Sequence, residues 1–353
     1  MVLGVGSPII DRVRPTIPSQ ILALGHARSA ARRSRNYREA DRLREAIEAA
    51  GYRVVDRGGD FLLLPAHPAD VVEEGGRVRY GWSGAVPAAI DEPATSPATI
   101  VIVADDRVDA LRHTLQGLRS HTPAGTQVII VAPPDAALDA ALTADDLLAP
   151  IAGEPPVVIH TAKAFRPAAA RNAGTRAATG SVVAWLAAGS IVSGDVVTPL
   201  VVALTDDTVA VTGAGGLVAS DIRHFAPASA GDVDAIDRTL LAFRREEVGV
   251  LGTIDERFFG DEQLDRWWSL ALRDGPDLPE LEEGEEIPAD EEPYVARRAI
   301  SLDVPIDGSA AIPLAQEPAH EGEAARRRKR DLYRLIDRFT GRPDLLRPPV
   351  SAA

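Results

Sequence analysis

Apolar and polar positions alternate through the middle of the chain in a way that predicts strands separated by helices. The runs at 99–104 (TIVIVA), 127–132 (QVIIVA) and 181–186 (SVVAWL) are short, continuous and rich in β-branched residues, which is typical of strands buried on both faces. A fourth strand is predicted at 156–160, and helical periodicity lies between the strands, first at 107–119. This alternation predicts a mostly parallel sheet with helices on both of its faces.

The first part of the chain follows a different pattern. Residues 19–51 predict two helices, and Asn36 with Glu39 forms the capping box of the second. The apolar stripe of that second helix consists of Ala40, Leu43, Ile47 and Ala50. The stretch YRVVDRGGDFLLLP that follows predicts a β-hairpin turning at Gly58 and Gly59.

These patterns divide the chain into four segments. Residues 1–82 form a helical hairpin and β-hairpin module, and residues 83–98, rich in Pro, Ala, Gly and Ser, form a linker. Residues 99–318 form the α/β domain, and residues 319–353 form a basic C-terminal helix and a tail.

Composition and charge exclude several classes of function. The formal net charge of −14 argues against general attraction to nucleic acid or to an anionic membrane. The chain has no cysteine, which excludes disulfides, thiolate metal sites and a cysteine nucleophile and is compatible with a cytoplasmic protein. No apolar run approaches the ~20 residues of a membrane span, so we expect no stable membrane insertion.

Three stretches in order carry a resemblance to a known family. They are TIVIVADDRVDALRHTLQGLRSHTPAGTQVIIVAPPD, FRPAAARNAGTRAATGSVVAWLAAGS and GTIDERFFGDEQLDRWWSLALRDG, which together span about 99–275. In order and spacing they resemble the family-2 glycosyltransferases of GT-A type. The resemblance implies a GT-A, Rossmann-like mixed and mostly parallel sheet flanked by helices. It also implies transfer of a sugar from a UDP- or GDP-sugar donor to an acceptor hydroxyl.

The N-terminal helices resemble something else. The stretch ARSAARRSRNYREADRLREAIEAAGYRVVDRGGDFLLL looks like the small C-terminal helical appendage of cysteinyl-tRNA synthetases. The synthetase's zinc ligands cannot exist here without cysteine, so the resemblance implies a borrowed module. Contact with tRNA is one alternative for it, but acidic residues dilute its basic patch, which favours docking on the main domain or self-association as a homo-oligomer.

The residues that would hold a metal in that family differ here. The family carries Leu-Asp-x-Asp after the fourth strand, where the Asp pair binds the divalent metal that stabilises the leaving diphosphate. This chain has Leu186, Ala187, Ala188 and Gly189 there, so a divalent metal is doubtful. Two alternatives stay open: metal-independent transfer, and a degenerate protein that binds donor as a scaffold without turnover. His320 matches a position where family members often carry His.

The donor side retains other residues of the family pattern. Arg171 and Asn172 match the family's Arg-Asn pair, and they either contact the nucleotide from the first turn of a helix or brace that helix. Asp105 follows the first strand and either lies in the donor site with Ala187 and Gly189 or caps the helix at 107–119. In a metal-independent reaction, Arg171, Asn172, Lys163 and Arg166 would stabilise the negative charge.

Three carboxylates compete for the role of general base on the acceptor side. Counting back from Arg273 and Gly275 favours Asp265. Counting forward from the Phe258–Phe259 pair favours the region 261–263, which includes Asp261 and Glu262 but puts Gln263, which cannot accept the proton, in the base position. The alternative for all three is that they cap the helix that starts here.

Overall fold

The computed structural model describes residues 17–57, 60–144, 147–275, 296–308 and 321–346. The chain divides into two compact units, Met1–Ala69 and Asp70–Ala353, which we call the N-terminal unit and the α/β unit. Within the described residues, no helix combines the length and the apolar character needed to cross a membrane.

The N-terminal unit is a helical hairpin followed by a β-hairpin. Its elements are α1 (Ser19–Arg33), α2 (Tyr37–Ala49), β1 (Tyr52–Arg57) and β2 (Asp60–Pro65). The predicted cap of the second helix is present, because Asn36 Oδ1 accepts the Glu39 N–H at 3.2 Å. Residues 58–59, the predicted turn, lie outside the described residues.

Basic side chains of the N-terminal unit bind acidic ones of the same unit. Arg28 and Arg32 both bind Asp56, at 2.8 and 2.7 Å, and Arg44 binds Glu48 at 2.8 Å. Each of these carboxylates compensates the positive charge of its arginine partners locally.

The α/β unit contains most of the regular structure. Its strands are β3 (Val71–Val72), β4 (Val78–Arg79), β5 (Ser96–Val103), β6 (Gln127–Ala132), β7 (Val157–His160), β8 (Gly180–Ala187), β9 (Ile191–Val192), β10 (Val209–Asp221), β11 (His224–Pro227), β12 (Gly231–Val233), β13 (Ala235–Arg244), β14 (Arg298–Ser301) and β15 (Ile306–Asp307). Its α-helices are α3 (Val108–His121), α4 (Ala136–Thr143), α5 (Pro167–Arg176), α6 (Val197–Ala203), α7 (Glu247–Leu251), α8 (Asp261–Asp274) and α9 (Glu321–Phe339), and 3₁₀ turns lie at Ser83–Ala85 and Pro343–Leu345.

One mixed sheet organises the α/β unit. Its strand order is β12-β14-β10-β13-β8-β5-β6-β7, and β11 pairs with β10. Strands β5, β6, β7, β8, β10 and β14 run in one direction, and β11, β12 and β13 run in the other. The predicted Rossmann-like, mixed and mostly parallel sheet flanked by helices is therefore confirmed.

Helices cover both faces of this sheet. Alternate residues of β5 point to opposite faces, so that Val101 joins one apolar core and Ile100 joins the other. Helices α5, α8 and α9 pack on the first face, and α3, α4 and α6 pack on the second. The buried Trp268 of α8 is among the largest side chains of the first core.

Residues 83–98, which the sequence predicts to be a linker, lie within the α/β unit and contact it. Arg176 Nε donates to the Val86 carbonyl at 2.6 Å, and the Arg245 guanidinium donates to the carbonyls of Ala89 and Glu92 at 2.7 and 2.6 Å. Two arginine side chains thus satisfy backbone carbonyls of a segment with little regular structure, an arrangement that local composition does not reveal.

Candidate functional site

Two adjacent cavities open at the carboxyl edge of the parallel strands. The ends of β5, β6 and β8 meet there, because Val103 pairs with both Val131 and Ala187. The first cavity is lined by Val103, Asp105, Pro133, Thr161 and Phe165, among others. The second cavity is lined by Val103, Arg171, Ala187, Arg238 and Asp261, among others. Val103 borders both, so the two cavities lie side by side at the place where open α/β sheets bind ligands.

The turn after β8 carries no carboxylate. Gly189 has a φ of 89°, a left-handed conformation that favours glycine. Its N–H donates to the hydroxyl of the buried Thr114 at 2.9 Å, and that hydroxyl donates in turn to the Ser190 carbonyl at 3.0 Å. The Thr114 side chain of α3 therefore fixes this turn. The left-handed backbone at Gly189 favours glycine over the aspartate that the family carries at this position.

These residues do not fit a divalent metal of the kind the family implies. Ala187 and Gly189 supply no oxygen side chain for a hard cation. Over the ranges that the structure describes, no group of three or more His, Asp or Glu is arranged to hold a metal ion. His320 lies outside the described residues.

Arg171 and Asp265 form a buried ion pair. Arg171 Nη1 donates to Asp265 Oδ1, and the two side chains are only 5% and 2% exposed. Burial raises the pKa of Asp265 to about 7; the neighbouring Asp261 charge adds to the rise and Arg171 opposes it. The other oxygen, Asp265 Oδ2, is buried without a hydrogen-bond partner. The Arg171 guanidinium is therefore bound inside the protein by a carboxyl group that takes up a proton as the pH falls below about 7, and it lies 4.8 Å from the Trp185 ring centroid.

The Asn172 side chain binds the segment that precedes α8. Its Nδ2 donates to the Ile254 carbonyl at 2.9 Å and to Glu256 Oε1 at 3.1 Å, and its Oδ1 accepts the Ile254 N–H at 3.1 Å. Because α5 begins with Pro167, Asn172 lies in the second turn of the helix and not in the first. The bracing contact, one of the two alternatives for Asn172, is present, and contact with a nucleotide stays a prediction.

Asp105 lines the first cavity and binds its own loop. Its Oδ1 accepts the Arg107 N–H at 2.9 Å, and its Oδ2 accepts from Arg107 Nε at 2.8 Å. The cap position of α3 is Arg107 itself, without a side-chain cap. Asp105 therefore does not cap α3, which was one of its two alternatives, and its role in the donor site stays a prediction.

The three candidate bases occupy different environments. Asp261, the first residue of α8, is 4% exposed and lines the second cavity. Glu262 is exposed and pairs with Arg266 at 2.9 Å, one helical turn away. Asp265 is enclosed with Arg171. The structure thus brings Asp261, Arg171 and Ala187 together at one cavity and leaves Glu262 at the surface.

Helix α9 holds the start of α8, which sequence reasoning did not anticipate. Asp331 Oδ2 accepts the N–H groups of Phe259 and Gly260 at 2.9 and 3.0 Å. Leu335 and Phe339 of the same helix are buried in the first core. The spacing of 331, 335 and 339 is the signal of a helix face turned inward, but it does not identify the partner.

Three guanidinium groups surround the ring of Phe259. They belong to Arg166, Arg327 and Arg330 and lie 4.3, 5.1 and 5.4 Å from the ring centroid. We call these three residues the Phe259 arginine cluster. Arg166 directly precedes α5, whereas the other two lie on α9. Residues far apart in sequence therefore concentrate positive charge beside the start of α8.

Comparison with known proteins agrees with the sequence resemblance over part of the chain. Residues 99–263 match the model of the family described as Glycosyl transferase family 2. No curated protein sequence matches the chain. The likeness of the N-terminal helices to the synthetase appendage stays a prediction.

Several solved structures resemble the fold at low sequence identity. The mannosyltransferase PcManGT from Pyrobaculum calidifontis, in complex with GDP-Man and Mn²⁺, is 16% identical, with a TM-score of 0.43 over 72% of this chain and 66% of that chain. GalNAc-T7 with UDP, GalNAc and Mn²⁺ is 16% identical, with a TM-score of 0.49 over 70% of this chain and 48% of that chain. S. aureus TarS 1-349 in complex with UDP is 10% identical, with a TM-score of 0.40 over 70% and 73%. This chain spans just under two thirds of the mannosyltransferase and about half of GalNAc-T7.

Proposed function

We propose that the α/β unit binds a UDP- or GDP-sugar and transfers the sugar to an acceptor hydroxyl without a carboxylate-held metal. The observation that carries this proposal is the family-2 match over residues 99–263, which contains the strands whose carboxyl ends form both cavities. The donor binds along the sheet edge that these two cavities mark, with its sugar towards Asp261 and Ala187.

Asp261 is the general base in this proposal. Its carboxylate removes the proton of the acceptor hydroxyl while the hydroxyl oxygen attacks the anomeric carbon. The bond from that carbon to the diphosphate oxygen breaks, the diphosphate leaves with the electron pair, and the configuration inverts. The position of Asp261 in the second cavity, beside Ala187, supports this role over Glu262 and Asp265.

Arg171 and Asp265 are positioning residues in this proposal. Asp265 binds the Arg171 guanidinium inside the protein, and Arg171 lies beside Asp261 in the lining of the second cavity. An intact buried pair keeps α5 and α8 in register, because removing one partner of such a pair leaves an uncompensated buried charge. The pair thus sets the distance between the base and the donor.

Binding without turnover is the second candidate function. It is favoured by the turn at Ala187–Gly189, which offers no ligand for the metal that this family ordinarily uses on its leaving group. In that case the same two cavities recognise the nucleotide-sugar, and the protein acts as a scaffold that responds to it.

The test is calorimetric titration with UDP, GDP and their sugars, with Mn²⁺ or with EDTA, followed by a transfer and hydrolysis assay. We expect binding in EDTA and turnover that falls at least about 100-fold in Asp261→Asn, within the usual effect of losing a general base. Glu262→Gln is the matched control and should retain both. Binding without any turnover in the wild type would select the second function, and failure to bind any nucleotide would overturn the proposal.

A further inference from the structure

We propose that Arg238 binds the diphosphate of the donor and supplies the positive charge that a metal ordinarily supplies in this family. This inference rests on the proposed function, because it assigns the residue that holds the leaving group. Arg238 lies on β13 and lines the second cavity together with Ala187 and Asp261.

The pairing of β13 with β8 brings Arg238 to the turn where the family holds its metal. The two strands are antiparallel neighbours, and Leu240 pairs with Leu186. Arg238 comes two residues before Leu240, towards the end of β13 that lies beside Ala187. Ala187 and Arg238 border one cavity, so an arginine side chain stands beside the position where the family carries its first metal-binding aspartate.

Arg238 has no partner in the part of the chain that the structure describes. Its side chain is half-buried and makes neither a hydrogen bond nor an ion pair with a described residue. Arg171, the other arginine of the same lining, is enclosed and bound to Asp265. A half-buried guanidinium gives up part of its hydration, and here no described acceptor replaces it, so an anionic ligand would supply the missing hydrogen bonds.

Two carboxylates belong to the surroundings of Arg238. Asp237 precedes it on β13, and its Oδ1 accepts the Thr239 N–H at 2.9 Å. Asp261 lies in the same cavity lining and is the proposed base. An inverting transfer needs both charges in one cavity, because the carboxylate takes the proton of the acceptor hydroxyl while a cation receives the charge that leaves with the diphosphate.

The chemistry of a guanidinium group suits this leaving group. It stays protonated at any physiological pH, and its paired N–H donors match two phosphate oxygens at once. A cation carried by a strand of the sheet stabilises developing charge with little reorganisation during the reaction. The same guanidinium would repel a divalent cation at Ala187, which agrees with the absence of carboxylates from that turn.

The experiment uses the full-length chain in EDTA. Calorimetry measures the affinity of UDP, GDP and the matching nucleosides for the wild type, Arg238→Gln and Arg238→Lys. Arg223→Gln is the matched control, because Arg223 is exposed in the turn between β10 and β11 and lines neither cavity. Thermal melts verify that each variant is folded.

We expect Arg238→Gln to weaken nucleoside diphosphate binding at least roughly tenfold, at the usual strength of a hydrogen bond to a charged group. Arg238→Lys keeps the charge without the paired donors and should recover part of that loss. Nucleoside affinity should not change in any variant, and Arg223→Gln should bind as the wild type does.

Three outcomes would contradict the inference. Equal diphosphate affinity in Arg238→Gln and Arg223→Gln would overturn it and leave the proposed function standing. A parallel fall in nucleoside affinity in Arg238→Gln would also overturn it alone, because Arg238 would then shape the nucleoside site rather than hold phosphate. Failure of the wild type to bind any nucleotide would overturn the inference and the proposed function together.

Discussion

At the scale of single residues, Asp265 shows how burial decides the behaviour of a carboxyl group. It lies on α8 with one oxygen bound to Arg171 and the other without a partner. Burial in a medium of low polarity disfavours its charged form more than the arginine favours it, so its pKa rises to about 7. Proton binding at this residue is therefore coupled to folding.

That coupling has a sign that can be tested. The native state keeps the Asp265 proton up to about pH 7, whereas the unfolded chain loses it near pH 4, so this group lowers the free energy of unfolding as pH rises between those values. Relative to Asp265→Asn, the wild type should lose roughly 3 kcal/mol between pH 5 and pH 8, at about 1.4 kcal/mol per pH unit. Urea unfolding at both pH values measures this difference. Asp337→Asn, at an exposed site, should follow the wild type, and parallel pH profiles for wild type and Asp265→Asn would contradict the assignment.

Gly174 makes the close approach of α5 to the sheet possible. A Cβ added there would lie 2.3 Å from Val101 Cγ1 and 3.3 Å from Val131 Cγ2. Gly174→Ala should therefore destabilise by about 1–3 kcal/mol, as overpacking does, despite the better helix propensity of alanine. Gly249→Ala in α7 is the control, because nothing lies within 4 Å of its Cβ, and it should be neutral or slightly stabilising. Chemical denaturation measures the free energy of unfolding of both variants. Equal stability would show that the Val101 side chain moves to make room for the added Cβ.

At the scale of elements, the sequence predicts the strands and helices of the parallel half of the sheet. It does not predict which other elements they pair with or pack against. The runs at 99–104, 127–132 and 181–186 are continuous and apolar because β5, β6 and β8 are buried on both faces, and local pattern suffices to find such strands. Strands β10 and β13 pair antiparallel with each other along their length, with an irregularity between Ala214 and Gly216. A bulge of this kind leaves little trace in periodicity.

The sequence motifs predict which residues belong to the candidate site, but not the environment of each residue. Asp261 and Arg171 were named from spacing, but their environments depend on contacts between distant segments. Arg171 meets Asp265 across 94 residues, and Phe259 meets Asp331 across 72. A basic amphipathic helix could be foreseen at 326–339, but not that its inward carboxylate binds the backbone before α8.

Helix α9 therefore stabilises the backbone just before α8 through Asp331, and substitutions at Asp331 test this role. Asp331→Ala removes the acceptor of two backbone N–H groups and should lower the free energy of unfolding by about 1–3 kcal/mol. Asp331→Asn keeps an acceptor oxygen and should recover most of that loss. The exposed Asp337→Ala on the same helix serves as control, and thermal unfolding compares all three. If Asn were as damaging as Ala, charge rather than the backbone contact would be the important property.

At the scale of the whole molecule, the division at 69/70 predicts which fragments fold. The N-terminal unit has its own small core of Ile21, Ile47 and Leu63, separate from the two cores of the α/β unit. A fragment of residues 70–353 should unfold cooperatively and bind nucleotide as the full chain does.

A shorter fragment should behave differently. Residues 96–353 retain all the strands of the large sheet but lack Val86, Ala89 and Glu92, whose carbonyls bind Arg176 and the buried Arg245. Loss of these partners leaves buried donors unsatisfied, at about 1–3 kcal/mol for each group. Circular dichroism and urea unfolding of the two fragments distinguish the cases, and equal stability would mean that 70–95 is dispensable.

The contact of Asp331 with the backbone of Phe259 and Gly260 has a thermodynamic consequence. The helix that carries this carboxylate is far along the chain from the segment that it fixes, and the segment leads directly into α8. Docking of α9 and ordering of the first turn of α8 are then linked equilibria, and each strengthens the other by the same free energy. A change that loosens α9 should therefore also loosen the backbone that positions Asp261.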